Sequence, residues 1–549
     1  MSGTSQHDQS ERDDARLREL GIQPELKRTL GFLANFALAF SFISVSTGSF
    51  GNFGVGIGLG GPAFIWSWPI VIIGQLLVAL VFAELASHFP VAGSIYQWSK
   101  RLSNRTLGWF TGWIYFWAQV VTVTAVSVIV AFVIDGLHGA AFPAAEGSIA
   151  FLDSPDPFGL TTMFTMISIS TLVITTAINA YGVKLMSVLN NIGVATEILG
   201  MFVFALILLF FAHTQPLDVL VSTGGAEQAT NGNYLAAFAL GMFMALFVVY
   251  GFDTAGTFGE ETIDASRQAP RGILSALLIS GAIGAIFLVA VILATPSIPD
   301  AMAEGQAGGF PIATTISAAL SSELILGITV GEIYLVIILA SVFVCTLAIQ
   351  GAASRLMFSM GRDGHLPLGR LWGRVNHRTQ TPANAVLAVG VLAVIPILVI
   401  GPLGGFFLSI AATGLIYLSY LLCNIGVLTA RTKGWPHKPA WFNLGRWGMP
   451  VNILAIVYGA LMLLNISIWI DPNLFGDFGG DGRGYTNPFI NTFFKPFGQE
   501  LSWMPAWPTF ETIIGVILVI GLIYYLVAVR GSAHDVESAD AATGEAVIG

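Results

Sequence analysis

Charge is what this sequence has least of. Asp, Glu, Lys and Arg make up only 10% of its 549 residues, against about 25% in a soluble domain. Hydrophobic residues make up 55%, and mean hydropathy is +0.77. A soluble globular protein is excluded. Cysteine is almost as scarce. Cys345 and Cys423 both lie in apolar runs, and they form neither a disulfide framework nor a metal-ligand spacing. All eight His residues lie in tails, loops or helix ends. Without a His/Cys constellation among the apolar runs, a membrane enzyme lacks its nucleophile–base pair or metal cluster. No P-loop motif is present, which argues against an ATP-driven pump. No metal, cofactor or nucleic acid is expected. The N-terminal stretch has no h-region before a small-residue cleavage site, so the first apolar run is expected to stay as a membrane helix.

What is abundant is apolar sequence in long runs. Twelve are long enough to span a bilayer at about 17–25 residues each. They cover residues 30–59, 63–86, 107–134, 160–181, 186–212, 235–262, 271–294, 330–357, 383–400, 405–428, 450–470 and 511–529. Such continuous runs are too long for barrel strands, so an all-α integral membrane protein is expected. Lys and Arg fix its orientation. Of 23 basic residues, 21 fall in the N-terminal stretch, after even-numbered runs, or after run 12. Only Arg483 and Lys495 fall elsewhere. Both termini are therefore expected in the cytoplasm, with the chain multi-pass in the plasma membrane.

This divides the chain into a cytoplasmic N-tail (1–29), two five-helix blocks (30–212 and 235–428) and a closing pair of helices (450–529). Residues 471–510, rich in Gly, Pro, Phe and Trp, read as an ordered outer cap, and 530–549 as a disordered cytoplasmic tail. The piece Ile312 to Leu326 reads as a short helix against the outer face, and Phe89 to Trp98 as an amphipathic inner-loop helix.

Two of the runs are interrupted. In run 6, Gly251-Phe252-Asp253-Thr254-Ala255-Gly256 puts a carboxylate between two glycines. A charge there costs a few kcal/mol on insertion scales, and glycine weakens a helix. In run 1, Ser44-Val45-Ser46-Thr47-Gly48-Ser49-Phe50-Gly51 concentrates hydroxyls and glycines. These are the first helices of the two blocks. Five helices per block give the second block the opposite topology. Paired interruptions in inverted halves point to the binding site of a secondary transporter. The alternative is that the glycines only allow close packing.

Several stretches together resemble the amino acid–polyamine–organocation superfamily, and most of all its amino acid/choline transporter branch, which includes GABA, choline and polyamine permeases. They are Ser46-Thr47-Gly48; Gly60-Gly61-Pro62; Ala83 to Trp98; Gly251-Phe252-Asp253 through Glu260-Glu261-Thr262 to Ala269-Pro270-Arg271; and Arg355 through Arg362-Asp363-Gly364-His365-Leu366-Pro367. The resemblance covers about residues 30–530. It implies a LeuT-type 5+5 inverted repeat with broken helices 1 and 6, two further helices, and alternating access. Two positions depart from the branch pattern: Thr257 where His is usual, and Ser94 where a second Gly is usual.

The resemblance carries substrate contacts onto Ser46, Thr47 and Gly48 in helix 1 and onto Gly251, Phe252 and Asp253 in helix 6. Amides at the helix-1 break suit a carboxylate, and Phe252 suits an organic cation. Asp253 is read as holding a substrate amine or carrying a coupling proton, with capping of the second half-helix as the structural alternative. Glu197, deep in helix 5, is by the same resemblance a proton-coupling candidate. Its alternative is a neutral Glu bonded to a neighbouring helix. Ser341, Cys345 and Thr346 are too few to argue for sodium. Glu84, Glu260, Glu261, Arg267, Arg271 and Arg362, with Arg355 and Asp363, are expected at an inner gate of breakable ion pairs. The expected partners are a small amine-bearing solute (an amino acid, GABA, a polyamine or choline), a coupling proton rather than sodium, and the lipid bilayer. An amine antiporter and a non-transporting nutrient sensor are the other readings.

Overall fold

The computed structural model describes residues 6–141, 150–230, 232–321, 323–325, 328–467 and 509–530. The proposed outer cap and C-tail fall almost wholly outside them. Among the described residues ten helices are long and apolar enough to cross a membrane, and the shorter apolar helices Tyr234–Val248 and Ile513–Val529 match runs 6 and 12.

The chain begins with α1 (Gln6–Glu19), outside the apolar spans. The polar N-terminal stretch is a structured arm rather than a bare tail. Leu17, Leu20, Ile22, Leu26 and Leu30 are all buried. The first long span is two half-helices, α2 (Phe32–Ile43) and α3 (Val45–Gly60), separated by Ser44 in a left-handed conformation (φ 32°). The break therefore lies upstream of the glycines. Two glycines farther along α3, Gly54 and Gly58, serve backbone-to-backbone packing. A Cβ on Gly54 would lie 2.7 Å from the Gly309 carbonyl, and one on Gly58 2.9 Å from the Gln306 amide.

Next come α4 (Ser67–His88), α5 (Ser94–Leu102), α6 (Arg105–Ala141), α7 (Met163–Tyr181) and α8 (Val183–Phe211). The inner-loop helix starts at Ser94 rather than Phe89, after a turn at Phe89–Gly93. The second interrupted span consists of α9 (Tyr234–Gly241), α10 (Phe243–Val248) and α11 (Thr254–Thr257). Gly251 (φ 88°) turns the chain between α10 and α11. A Cβ there would lie 1.9 Å from the Phe42 ring, so conformation and space both require glycine.

Beyond it lie α12 (Ala265–Ala294), the short helices α13 (Ile298–Gln306) and α14 (Pro311–Ala319), and a small antiparallel hairpin of β1 (Glu323–Ile325) and β2 (Ile328–Thr329). The outer helix anticipated over 312–326 thus ends at Ala319 and gives way to a strand. The long α15 (Val330–Arg362) starts with a Thr329/Glu332 capping box. After α16 (Gly369–Trp372), α17 (Ala383–Thr432) bends at Gly401 (φ 76°), where a proline follows, and so forms two spans. The last two described helices are α18 (Gly448–Asn465) and α19 (Thr509–Tyr524).

The half-helices pair crosswise. A Cβ on Gly48 of α3 would lie 2.4 Å from Val248 of α10. On the other side of the breaks, Asn35 of α2 donates to the Ala255 carbonyl (2.8 Å) and to the Thr262 hydroxyl (3.0 Å). Both breaks therefore sit at one level of the core, with α6, α8, α15 and α17 packed around them.

Candidate functional site

Asp253 lies just before α11 and is fully buried. Its side chain makes no cap bond to that helix. Three hydroxyls reach it from three other elements. Tyr420 of α17 donates to Oδ1 (2.6 Å); Tyr115 of α6 (2.7 Å) and Ser94 of α5 (2.9 Å) donate to Oδ2. Tyr420 Oη also accepts the Gly251 amide at 2.9 Å, so one phenol holds both the carboxylate and the turn before it. No Lys, Arg or His pairs with Asp253 among the described residues. Charge-assisted hydroxyl bonds are how a carboxylate is kept in such a place.

The two departures from the branch pattern meet here. Thr257 donates to the Ser94 hydroxyl (2.8 Å), and Ser94 donates onward to Asp253. Ser94 has φ 25°, a conformation natural to the glycine usual at this position. The serine therefore accepts backbone strain while supplying a third donor.

The second carboxylate stands at the other break. Glu197 of α8 is fully buried, and its Oε1 accepts the Ser46 hydroxyl (2.7 Å), the Ser44 hydroxyl (3.0 Å) and the Ser46 amide (3.1 Å). Thr47 completes the cluster, 2.6 Å from Ser44 Oγ. Oε2 is buried without a partner. The N-terminal end of α3 thus faces an acidic group, as its dipole favours. One amide of that end, at Ser46, is taken by Glu197. Gly48 serves packing, as described above. Ser341 and Thr346 spend their hydroxyls on carbonyls of their own helix, and Cys345 points its thiol at the Phe42 carbonyl.

Phe252 is wholly buried in an aromatic cluster, with ring centroids 5.5 Å from Tyr420 and 6.1 Å from Phe82. Further buried polar side chains lie near these groups: Gln119 beside Tyr115, Gln75 beside Tyr417, and Tyr250 near Thr122 and Thr413. Polar side chains buried in an apolar span are normally kept for one another or for a polar guest.

The carboxylates expected at a gate are all paired, though not always as anticipated. Glu260 makes a two-pronged pair with Arg362 (2.9 and 3.0 Å) and accepts the Ala92 amide (3.0 Å). Glu261 pairs with the fully buried Arg355 at 3.1 Å, and that guanidinium lies 4.7 Å over the Phe258 ring. Glu84 pairs with Arg431 and accepts the Leu444 amide at 3.0 Å. Asp363 takes Lys100 (2.8 Å) and the Tyr96 hydroxyl (2.7 Å). Burial pushes the Asp363 carboxyl up, but Lys100 and Arg362 outweigh it and hold it well below the usual range. His365, whose Nδ1 is 2.6 Å from Tyr96, is pushed down to about 4, chiefly by burial. Arg267 and Arg271 are the correction. Neither forms an ion pair among the described residues; both lie over the Trp441 ring, at 5.7 and 4.9 Å. Aromatic packing at a helix start holds them instead.

The arm closes over this ionic layer. Thr29 and Leu30 donate amides to the Glu261 carbonyl (3.0 Å each), and the Ile263 amide returns to Leu30 (2.9 Å). Arg28 reaches the Thr262 carbonyl (3.0 Å), and Arg16 the His88 carbonyl (3.1 Å).

Sequence reasoning missed Tyr115, Tyr420, Gln119, Gln75 and Arg431. A signal existed for the tyrosines. A phenol deep in an apolar span, away from the interface, needs a buried partner.

The amino acid permease family model matches residues 30–479. An amino-acid permease BAT1 homolog of Oryza sativa subsp. japonica is 31% identical over 463 residues, covering 83% of this chain and 87% of that protein. Amino-acid permease BAT1 of Arabidopsis thaliana is 28% identical, with 81% and 86% covered. A putative polyamine transporter of Candida albicans is 25% identical, with 82% and 80% covered. Among solved structures, MhsT in complex with L-phenylalanine matches with a TM-score of 0.56 at 14% identity, covering 80% of this chain and 99% of that one. That match concerns the fold, which is LeuT-like. A multi-pass helical membrane protein of this kind, matched along most of its length, is a member of the amino acid permease family within the amino acid–polyamine–organocation superfamily.

Proposed function

We propose that this permease is a secondary active transporter moving amino acids or related amines by alternating access. The observation that carries this is the buried Asp253 carboxylate at the break of the second interrupted span, held by three hydroxyls and, among the described residues, by no fixed cation. An ammonium group is the natural counter-charge for it. The printed names of the relatives, amino-acid permeases and a putative polyamine transporter, support the same class. In this reading the chain crosses the plasma membrane twelve times, in inverted blocks at 30–212 and 235–428 plus a last pair, with both termini cytoplasmic. The basic residues support that orientation. Glu197 is the proton-coupling group, since its free Oε2 can take a proton while Oε1 keeps the helix-1 break in place. The pairs of Glu84, Glu260 and Glu261 close the cytoplasmic side.

The test is uptake into proteoliposomes with an imposed inward proton gradient. The panel is labelled GABA, putrescine, choline and a mixed amino-acid pool. Gradient-driven uptake that disappears in Asp253→Asn supports the reading. Uptake unchanged in Asp253→Asn would make that residue structural. Movement only against internal amine would identify an antiporter. No movement under either a proton or a sodium gradient would favour the sensor reading.

A further inference from the structure

A pocket of about 410 Å³ opens on the basic face, lined in part by Thr29, whose amide bonds the Glu261 carbonyl. It lies where α7 ends and α8 begins, and three separate segments build it. The arm contributes Lys27 and Thr29, the α7–α8 link contributes Tyr181 and Lys184, and the segment before α17 contributes Arg378 and Thr379. No Asp or Glu lines it among the described residues. Neither lysine, nor Arg378, forms an ion pair among the described residues. Like charges brought together without an acid repel one another, so the arrangement favours an anion among them. Guanidinium and ammonium groups with nearby hydroxyls are the donor set that phosphate takes.

What adjoins the pocket identifies the source of the phosphate. Tyr181 and Lys184 stand at the ends of two candidate membrane spans. Leu185, Val188, Ile192 and Leu199 then run up α8 as exposed apolar residues at helical spacing. A charged mouth continuous with an outward apolar stripe fits a molecule with a phosphate at one end and acyl chains at the other. We propose that this pocket is a specific site for the phosphate headgroup of an anionic lipid of the cytoplasmic leaflet. The leaflet assignment rests on the orientation given under Proposed function; the pocket and its stripe do not.

The site is tied to the gate through the arm. Thr29 lines the pocket, and its amide bonds the carbonyl of Glu261, whose side chain pairs with Arg355. A bound headgroup therefore holds the arm on the inner layer and favours the inward-closed arrangement.

The test reads lipid retention directly, so it does not depend on transport. The full chain is reconstituted in phosphatidylcholine nanodiscs containing phosphatidylglycerol, and lipid retained on the released protein is measured by native mass spectrometry. The pocket triple variant is Lys27→Gln/Lys184→Gln/Arg378→Gln. The control is Arg370→Gln/Lys433→Gln/Lys438→Gln, which removes the same charge from exposed positions on the same face. Each pocket charge is expected to contribute about fivefold, so the pocket triple should retain phosphatidylglycerol about 100-fold more weakly. The control should behave as wild type. Equal loss in both triples would overturn the proposal in favour of general surface charge. Displacement of phosphatidylglycerol from wild type by inorganic phosphate at moderate concentration would overturn the lipid assignment in favour of a soluble phosphate. Because all six residues are exposed, both triples should fold; a thermal melt within a few degrees of wild type checks this.

Discussion

The pair between Glu261 and Arg355 offers the sharpest test of the inner gate. Both side chains are essentially without solvent exposure, at 1% and 0%. Glu261→Gln leaves the guanidinium with Ser354 Oγ (3.1 Å), the Gly351 carbonyl (3.4 Å) and the face of Phe258. Removing one partner of such a pair costs about 3–5 kcal/mol. If the pair exists only when the inner side is closed, that cost falls on the closed state alone. At 3 kcal/mol the closed-to-open ratio shifts by about 100-fold. The chain carries its own reporters, since Cys345 and Cys423 are free and buried at 2% and 0% exposure. A membrane-impermeant thiol reagent applied from the basic face should label wild type slowly and Glu261→Gln on the order of 100-fold faster. The double variant Glu261→Leu/Arg355→Met removes both charges, and its labelling should return toward wild type. A Glu261→Gln protein that melts lower but labels no faster would refute the gate, and the pair would then be ordinary folding stability.

Three further outcomes follow from the geometry. Tyr420→Phe removes the bond to Asp253 Oδ1 and the acceptor of the Gly251 amide, so kcat/KM should fall about 100-fold in the uptake assay, against about 10-fold for Tyr115→Phe, which removes one bond; equal effects would contradict the double role of Tyr420. Gly251→Ala meets both a clash with Phe42 and a positive φ, and should cost about 3 kcal/mol or more, read as loss of monodisperse protein; Gly139→Ala in α6, with nothing within 4 Å, should be neutral or slightly stabilising. His365 is held near 4 in the folded chain, against an ordinary value of 6.5. The stability this represents is fully present above pH 6.5 and is lost as pH falls toward 4. About 2 kcal/mol should disappear between about pH 7 and pH 5, and the melting temperature of His365→Gln should lack that drop.

The sequence made the breaks and their carboxylates legible, because each violates a rule that the rest of the membrane part obeys. Asp253 and Glu197 are charges in apolar runs, and Gly251 interrupts a helix. What completes them was not legible. Tyr115 and Tyr420 lie on α6 and α17, 138 and 167 positions from Asp253, and only packing decides that they meet there. In the sequence Arg431 is one topology-setting charge among many; only packing brings it to Glu84. Arg267 and Arg271 erred in the other direction, because an aromatic ring competes with carboxylates for a guanidinium and Trp441 lies 170 or more positions away. The arm was hidden by its polar composition, although Leu17 and Leu20 already marked one face of α1's end.

The arm has a consequence for how such chains diverge. Its grip falls largely on main-chain groups: the carbonyls of His88, Glu261 and Thr262, and the amide of Ile263. Every residue supplies a carbonyl, so apart from Arg101 and Asp264, whose side chains also meet the arm, the receiving surface can change its side chains without losing the strap. The side chains of Glu260 and Glu261 are thereby left to pair with Arg362 and Arg355, while the arm holds their backbone by hydrogen bonds. An arm of this kind should be exchangeable between distant relatives as a single cassette, and a free peptide of its sequence should compete for the same backbone.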